Sequence, residues 1–153
     1  MKNKALTDKK AIHDIIRRCQ WCHVAMVDDD HHPYVIPMNF GFREDIIFLH
    51  GSGSGKKITI LNNHPEVCIH FSTDHLLRYQ NENVACSWSM KYRSVLAYGK
   101  VEFIEEDIRK TEALHVIMSQ YSTGEFKFNP PSIREVKVMQ VKVEKFEGRT
   151  YGY

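Results

Sequence analysis

The stretch YVIPMNFGF, residues 34–42, decides how the rest of the chain reads. Successive side chains of an extended strand point to opposite faces. Ile36, Met38, Phe40 and Phe42 then share one face, and Pro37, Asn39 and Gly41 share the other. The first is a core face. The second carries little bulk and one amide, so a planar ring can approach the backbone there and hydrogen-bond to free N–H and C=O groups. The same pattern suits an edge strand in which Pro37 merely blocks further pairing, and on this segment alone that plainer reading is the stronger one.

Working outward, residues 23–27 and the polar turn 28–32 make a strand hairpin with this stretch, and residues 45–49 continue as a third strand. Upstream, Thr7 or Asp8 caps a first helix whose Ile12, Ile15, Ile16 and Cys19 recur on one face, ending near residues 19–21. Downstream, residues 57–62 predict a short helix stopped by Asn63, His64 and Pro65, and residues 67–71 a compact apolar strand. Residues 73–83 are polar and read as loop or short helix. Residues 88–104 predict a long strand bent near Gly99. Residues 105–121 form a helix burying Ile108, Ala113, Leu114, Ile117 and Met118, with a loop over 121–131. Residues 136–146 make the last strand, with a phase change near Gln140 that predicts a bulge. Six or seven strands, two or three helices and no β-α-β rhythm predict a mainly β fold, an antiparallel barrel with helices at its edges.

At 153 residues, 42% hydrophobic and 26% charged, the chain is expected to be a single domain with a real core. A net charge of only +2 with histidines neutral gives no field strong enough to indicate nucleic acid or an anionic membrane. No apolar run reaches the ~20 residues that span a bilayer, and MKNKALTDKK lacks the apolar stretch of a signal peptide. A cytoplasmic protein with four reduced cysteines is expected.

Seven residues beyond the opening stretch stands HGSGSGKK, residues 50–57. Alternating glycine and serine let backbone N–H groups of Gly51, Ser52 and their neighbours turn inward around an anion, and the following helix start adds its positive end. Lys56 and Lys57 add charge. A nucleotide P-loop is excluded: it needs four residues between its glycines and Ser or Thr after the lysine, whereas three residues separate Gly51 from Gly55 and Lys57 takes the hydroxyl's place. A plain solvent loop is the competitor, but adjacent cations at a helix start are unfavourable without an anion.

Cys19-Gln-Trp-Cys-His23 has the spacing of a c-type haem attachment site, and CxxC alone can be redox-active. Nothing signals export, and the pair falls at a helix C-terminus, where the dipole disfavours a thiolate. Zinc needs further ligands, and neither Cys68, Cys86 nor His70 has a partner at close spacing. Buried structural cysteine is the expected role and no metal is expected. His50, at the strand exit before the glycine loop, is either a titratable group reaching the loop's ligand or one of nine ordinary histidines. His31 and His32 lie in a polar turn and should be solvated. Arg93 and Ser94 either donate to the same anion or simply start a strand.

The ordered set CHVAMV, PYVIPMNFGF, IIFLHGSGSGKKITIL, NHPEVCI and YRSVLAYGKVEFIEE, spanning roughly residues 14–118, resembles the flavin-binding split-barrel family related to pyridoxamine 5'-phosphate oxidase, and within it the 5-nitroimidazole resistance (Nim-type) branch. The resemblance implies a six-stranded split β-barrel that forms a homodimer with FMN, or FAD in some members, in clefts at the dimer interface. It implies that Pro37, Met38, Asn39 and Phe40 line the isoalloxazine and ribityl chain, that His50, Gly51 and Ser52 lie near the flavin, with His50 the candidate catalytic side chain, and that Lys56, Lys57 and Ser94 hold the phosphate. The oxidase's C-terminal arginine and tryptophan positions have no match in FEGRTYGY beyond Arg149, so pyridoxamine phosphate is not the expected substrate. The expected function is a flavin oxidoreductase acting on nitroimidazoles or related small oxidants; with no G-x-G-x-x-G fingerprint, an NADH or NADPH donor would bind transiently, or a reductase would supply electrons. The alternative is a flavin- or haem-binding module for storage or sensing.

Overall fold

The opening stretch breaks at Asn39. The computed structural model describes residues 3–153, and its chain order is β1 (Asn3–Leu6), α1 (Lys9–Arg18), β2 (Cys22–Val27), β3 (Pro33–Met38), β4 (Phe40–Arg43), β5 (Ile46–Gly51), α2 (Lys56–Asn63), β6 (Glu66–Arg78), a 3₁₀ turn (Ala85–Ser87), β7 (Ser89–Ile104), α3 (Asp107–Ser119), α4 (Pro130–Glu135) and β8 (Lys137–Tyr151). All strand pairs are antiparallel, in the order β3-β2-β6-β7-β8-β5-β4, with β1 added to β8. β3 and β4 lie on opposite edges of that sheet yet are joined by Asn39 alone. Two trans peptide steps span at most about 7 Å, so the sheet must curl until its edges meet at this corner. No ladder joins β3 to β4 among the described residues. The result is a barrel closed at one corner and split along its seam, a mainly β split barrel.

The expected core face is in place: Met38 and Phe40 are buried, Tyr34, Ile36 and Phe42 pack against the core, and the Phe40 ring meets Phe71 edge-on at 4.9 Å. Three of the predicted helices form much as read. Asp8 caps α1, its carboxylate accepting from Ala11 N–H at 2.8 Å, and Ile12, Ile15 and Ile16 bury into the barrel core. In β7 the register against β8 shifts at Tyr98/Gly99. A Cβ on Gly99 would stand 2.6 Å from the Lys142 carbonyl oxygen, so only glycine fits the bend.

Other expectations are corrected. The strand count is eight rather than six or seven, because the opening stretch is two strands and residues 3–6 add a strand against the C-terminus. Residues 73–78, expected as loop or short helix, extend β6 beyond an irregularity between Thr73 and Leu76 where Asp74 adopts φ 57°. The bulge expected near Gln140 is absent there: residues 137–142 pair without interruption, and the shift falls opposite Tyr98/Gly99. The altered hydrophobic phase has a different cause, since both faces of β8 are covered. Met139 and Val141 face the barrel interior, while Val138 joins Phe48, Leu114, Val116 and Ile117 in a second core beneath α3. Ile108, expected buried, is 68% exposed, and Lys110 is buried in its place. The Lys110 Nζ donates to the carbonyls of Ile133, Arg134 and Val136 at 3.3, 3.4 and 3.1 Å. A buried ammonium thus satisfies the otherwise orphaned carbonyls at the end of α4.

α3 also covers Gly41. A Cβ there would stand 2.6 Å from the Ile117 backbone nitrogen, so the bare position receives a helix, and no planar ring can lie against it. Among the described residues no helix is long and apolar enough to cross a membrane.

Candidate functional site

β5 delivers His50 and Gly51 to its end, paired with Val138 and Lys137 of β8. The chain then turns through Ser52–Gly55, where the Ser52 hydroxyl donates to the Ser54 carbonyl at 2.9 Å. Gly55 has φ 109° and ψ 173°, a conformation essentially restricted to glycine, and its carbonyl accepts from Ile58 and Thr59 N–H at 3.0 and 3.2 Å to open α2. No side chain caps the N-terminus of α2. Its first donors are therefore left for solvent or a ligand.

Lys57 folds back over Gly51, where a Cβ would collide with its ammonium. The Lys57 side chain is half-buried, and among the described residues it has no hydrogen-bond or ion-pair partner. Burial lowers its pKa. Burial first, and the Lys57 charge second, lower that of His50 as well, which favours its neutral imidazole. A half-buried cation, uncapped helix N–H groups and a side-chain-free ledge at Gly51 converge on one spot. That spot can hold an anion such as a phosphate.

The other predicted residues are not all brought there. Lys56 turns away: its Nζ lies 3.5 Å from Asp28 Oδ2 and 4.9 Å from the centroid of the Tyr34 ring. Pro37 and Asn39 are exposed at the β3 edge and the barrel corner, whereas Met38 and Phe40 turn inward. The Phe40 N–H is already taken, donating to the Tyr121 hydroxyl at 3.0 Å. Arg93 is held elsewhere by Asp74 (2.5 Å), with its guanidinium 3.8 Å from the Tyr153 ring centroid. Ser94 pairs with Arg149, while His50 pairs with Val138, eleven residues away along β8. At about 3.3 Å per residue this is roughly 35 Å of strand. Within one chain, Ser94 and Lys57 cannot touch the same phosphate.

The Cys19/Cys22 pair is buried and inert. Burial pushes the Cys19 thiol to about 11 and, helped by neighbouring Cys19, that of Cys22 to about 12. Cys19 Sγ donates to the Ile15 carbonyl at 3.3 Å and Cys22 Sγ to that of Met38 at 3.6 Å. Sequence spacing gave no sign that His23 faces His70 across two strands, with ring centroids 6.0 Å apart; their separation in sequence hides it.

A split barrel with a cationic glycine loop at the end of one strand is the class that the fold and the site define. The family description "Pyridoxamine 5'-phosphate oxidase" matches residues 8–150, and the chain belongs to that oxidase-like family, on its Nim-type side. A protein of Bacteroides thetaiotaomicron described as a candidate 5-nitroimidazole antibiotic resistance protein is 40% identical, with TM-score 0.88 over 97% of this chain and 87% of its own. The flavocytochrome Anf3 of Azotobacter vinelandii (21% identity, TM-score 0.82, 97% of this chain and 70% of its own) shares the fold. So does the FAD and haem binding protein of Mycobacterium smegmatis (18%, TM-score 0.85, 98% and 74%). No curated protein matches the sequence.

Proposed function

We propose that this chain is a flavin-binding oxidoreductase acting on nitroimidazoles or related small oxidants, working as a homodimer that holds FMN between its subunits. The observation that carries the reading is Lys57, a half-buried ammonium over Gly51 with no acidic partner among the described residues. A flavin phosphate supplies the missing charge, with the N–H groups of Gly51–Lys57 as further donors. The ring then extends toward the exposed edge at Pro37 and Asn39, where Met38 and Phe40 support the ledge from beneath. His50, beside the Lys57 charge that together with burial disfavours its protonation, is placed to hydrogen-bond to the ligand.

The divided site is consistent with the dimer reading. Ser94 lies far from Lys57 along β8 in its own chain, and a second subunit would bring its own Ser94 to the cleft. The bound flavin would supply electron transfer from a nicotinamide or reductase donor to the oxidant. The chain's task is to orient it, neutralise its phosphate and exclude water. The similarity to the Bacteroides protein, which is described by nitroimidazole resistance, supports that oxidant class.

The purified chain is expected to be yellow, or to become so with added FMN, showing flavin absorption that elutes with a dimer. A colourless chain that fails to retain added FMN would overturn the reading. Anaerobic mixing with NADH or NADPH and a nitroimidazole tests turnover: flavin bleaching followed by recovery supports the oxidoreductase, and a flavin that neither donor reduces favours a binding module.

A further inference from the structure

The outer face of the sheet formed by β3, β2, β6 and β7, which also carries Ser94, holds a pair of side chains to which the flavin reading gives no role. Inward positions of β2 and β6 are the buried Cys22, Val24, Ile69 and Phe71, so His23 and His70 point outward. They are direct cross-strand partners, and paired residues on one face of an antiparallel ladder have neighbouring side chains. Their ring centroids are 6.0 Å apart with planes 31° from parallel. Among the described residues, neither imidazole makes a hydrogen bond or ion pair, and no buried side-chain nitrogen or oxygen lacks a partner. In the single chain their nitrogens are therefore open to solvent. Each histidine sits mid-strand beside the fully buried pair Val24 and Ile69, so the backbone beneath them is fixed before any ligand arrives.

We propose that His23 and His70 chelate a divalent transition-metal cation, with zinc, copper or nickel as the fitting class. Two Zn–N bonds of about 2.1 Å plus two imidazole radii exceed the centroid separation, so modest rotation of the rings brings one nitrogen of each to a shared ion. Neutral imidazoles favour these borderline metals over magnesium or calcium, which take oxygen donors. Cys68 lies on the same face two residues along, where it shares a hydrogen bond with Tyr98. It is not one of the ligands. Water fills the remaining positions, leaving an open site rather than a four-ligand structural one.

The test uses the untagged full-length chain, freed of metal by a chelator and titrated with zinc chloride by calorimetry at pH 7.5. One saturable site per chain is expected. Binding should be lost in both His23→Gln and His70→Gln, each checked for native circular dichroism, and kept in Asp28→Asn, which alters the separate exposed cluster of Asp28, Asp30 and His32. With copper(II), electron paramagnetic resonance should show two nitrogen ligands in the wild-type chain and one in each variant. Should one variant fail to fold, the other decides. Absence of saturable binding to the wild-type chain, its survival in the histidine variants, or its loss in Asp28→Asn would each overturn the proposal. Because the ligands are not those of the flavin, running the titration with and without FMN keeps the two readings separable.

Discussion

Around Asp74, at the irregularity in β6, every charge has a partner: Arg18 lies 2.7 Å and Arg93 2.5 Å from the carboxylate, and Arg93 and Lys91 both stack on Tyr153. The Tyr153 hydroxyl donates to the Asp74 carbonyl at 2.6 Å. At the end of β5, Lys57 is half-buried with no partner among the described residues. Both regions offer cations near glycine or irregular backbone, and sequence alone offers Lys57 and, less strongly, Arg93 as candidates for one anion. The structure separates them: the first arrangement ties the fold together, and the second leaves a charge unmet, as a ligand site does.

The sharpest way to break this contrast is Lys57→Ala. Losing a charge-assisted hydrogen bond worth about 1.5–3 kcal/mol should weaken flavin affinity about tenfold to a hundredfold, measured by fluorescence quenching of FMN. The flavin-free variant should melt no lower than the wild-type chain, since a desolvated, unpaired cation is removed; unchanged flavin affinity would move the phosphate elsewhere. Asp74→Ala should do the reverse. It leaves two guanidinium groups uncompensated beside a carboxylate site that is only 22% exposed, and should cost about 1–2 kcal/mol, a fall of a few degrees in melting temperature. Burial alone would raise the Asp74 carboxyl, but the Arg18 and Arg93 hydrogen bonds hold it below its usual range.

The smallest effect concerns pH. His50 has a lowered pKa in the folded chain, against an ordinary value of 6.5, so the unfolded chain binds protons first as pH falls. Stability should therefore rise with pH through this range and be lost as pH drops below about 6.5. Urea midpoints at pH 7.5 and 5.5 should differ less in His50→Gln than in the wild-type chain. Part of the slope should remain, because His70 is lowered in the same direction.

Much of this was legible because it is local. The Asp8 cap, the glycine-opened helix at 56–63 and the bend at Gly99 each declare themselves within a few residues. So does the inward face of Ile36, Met38 and Phe40. What the sequence hid depends on partners distant in the chain. Asn39 reads as one more strand residue until the sheet order makes it a barrel corner. Gly41 reads as open until α3 lands on it, Ile108 as buried until Lys110 takes the inward place beneath the end of α4, and Gln140 as a bulge until both faces of its strand prove covered. The division of Lys57 from Ser94 is likewise a matter of register, which residue patterns alone do not set.

The strand at residues 3–6 has a consequence for how the molecule is made. It pairs with residues 148–151 of the last strand, Asn3 against Tyr151 and Leu6 against Gly148. On the ribosome residues 3–6 emerge well before residues 148–151, and this edge of the sheet stays unpaired until those partners have been synthesised. Pairings of such long sequence separation form late and slowly, so this edge should close in the final stage of folding. Until then this strand is open to capture by chaperones or neighbouring chains.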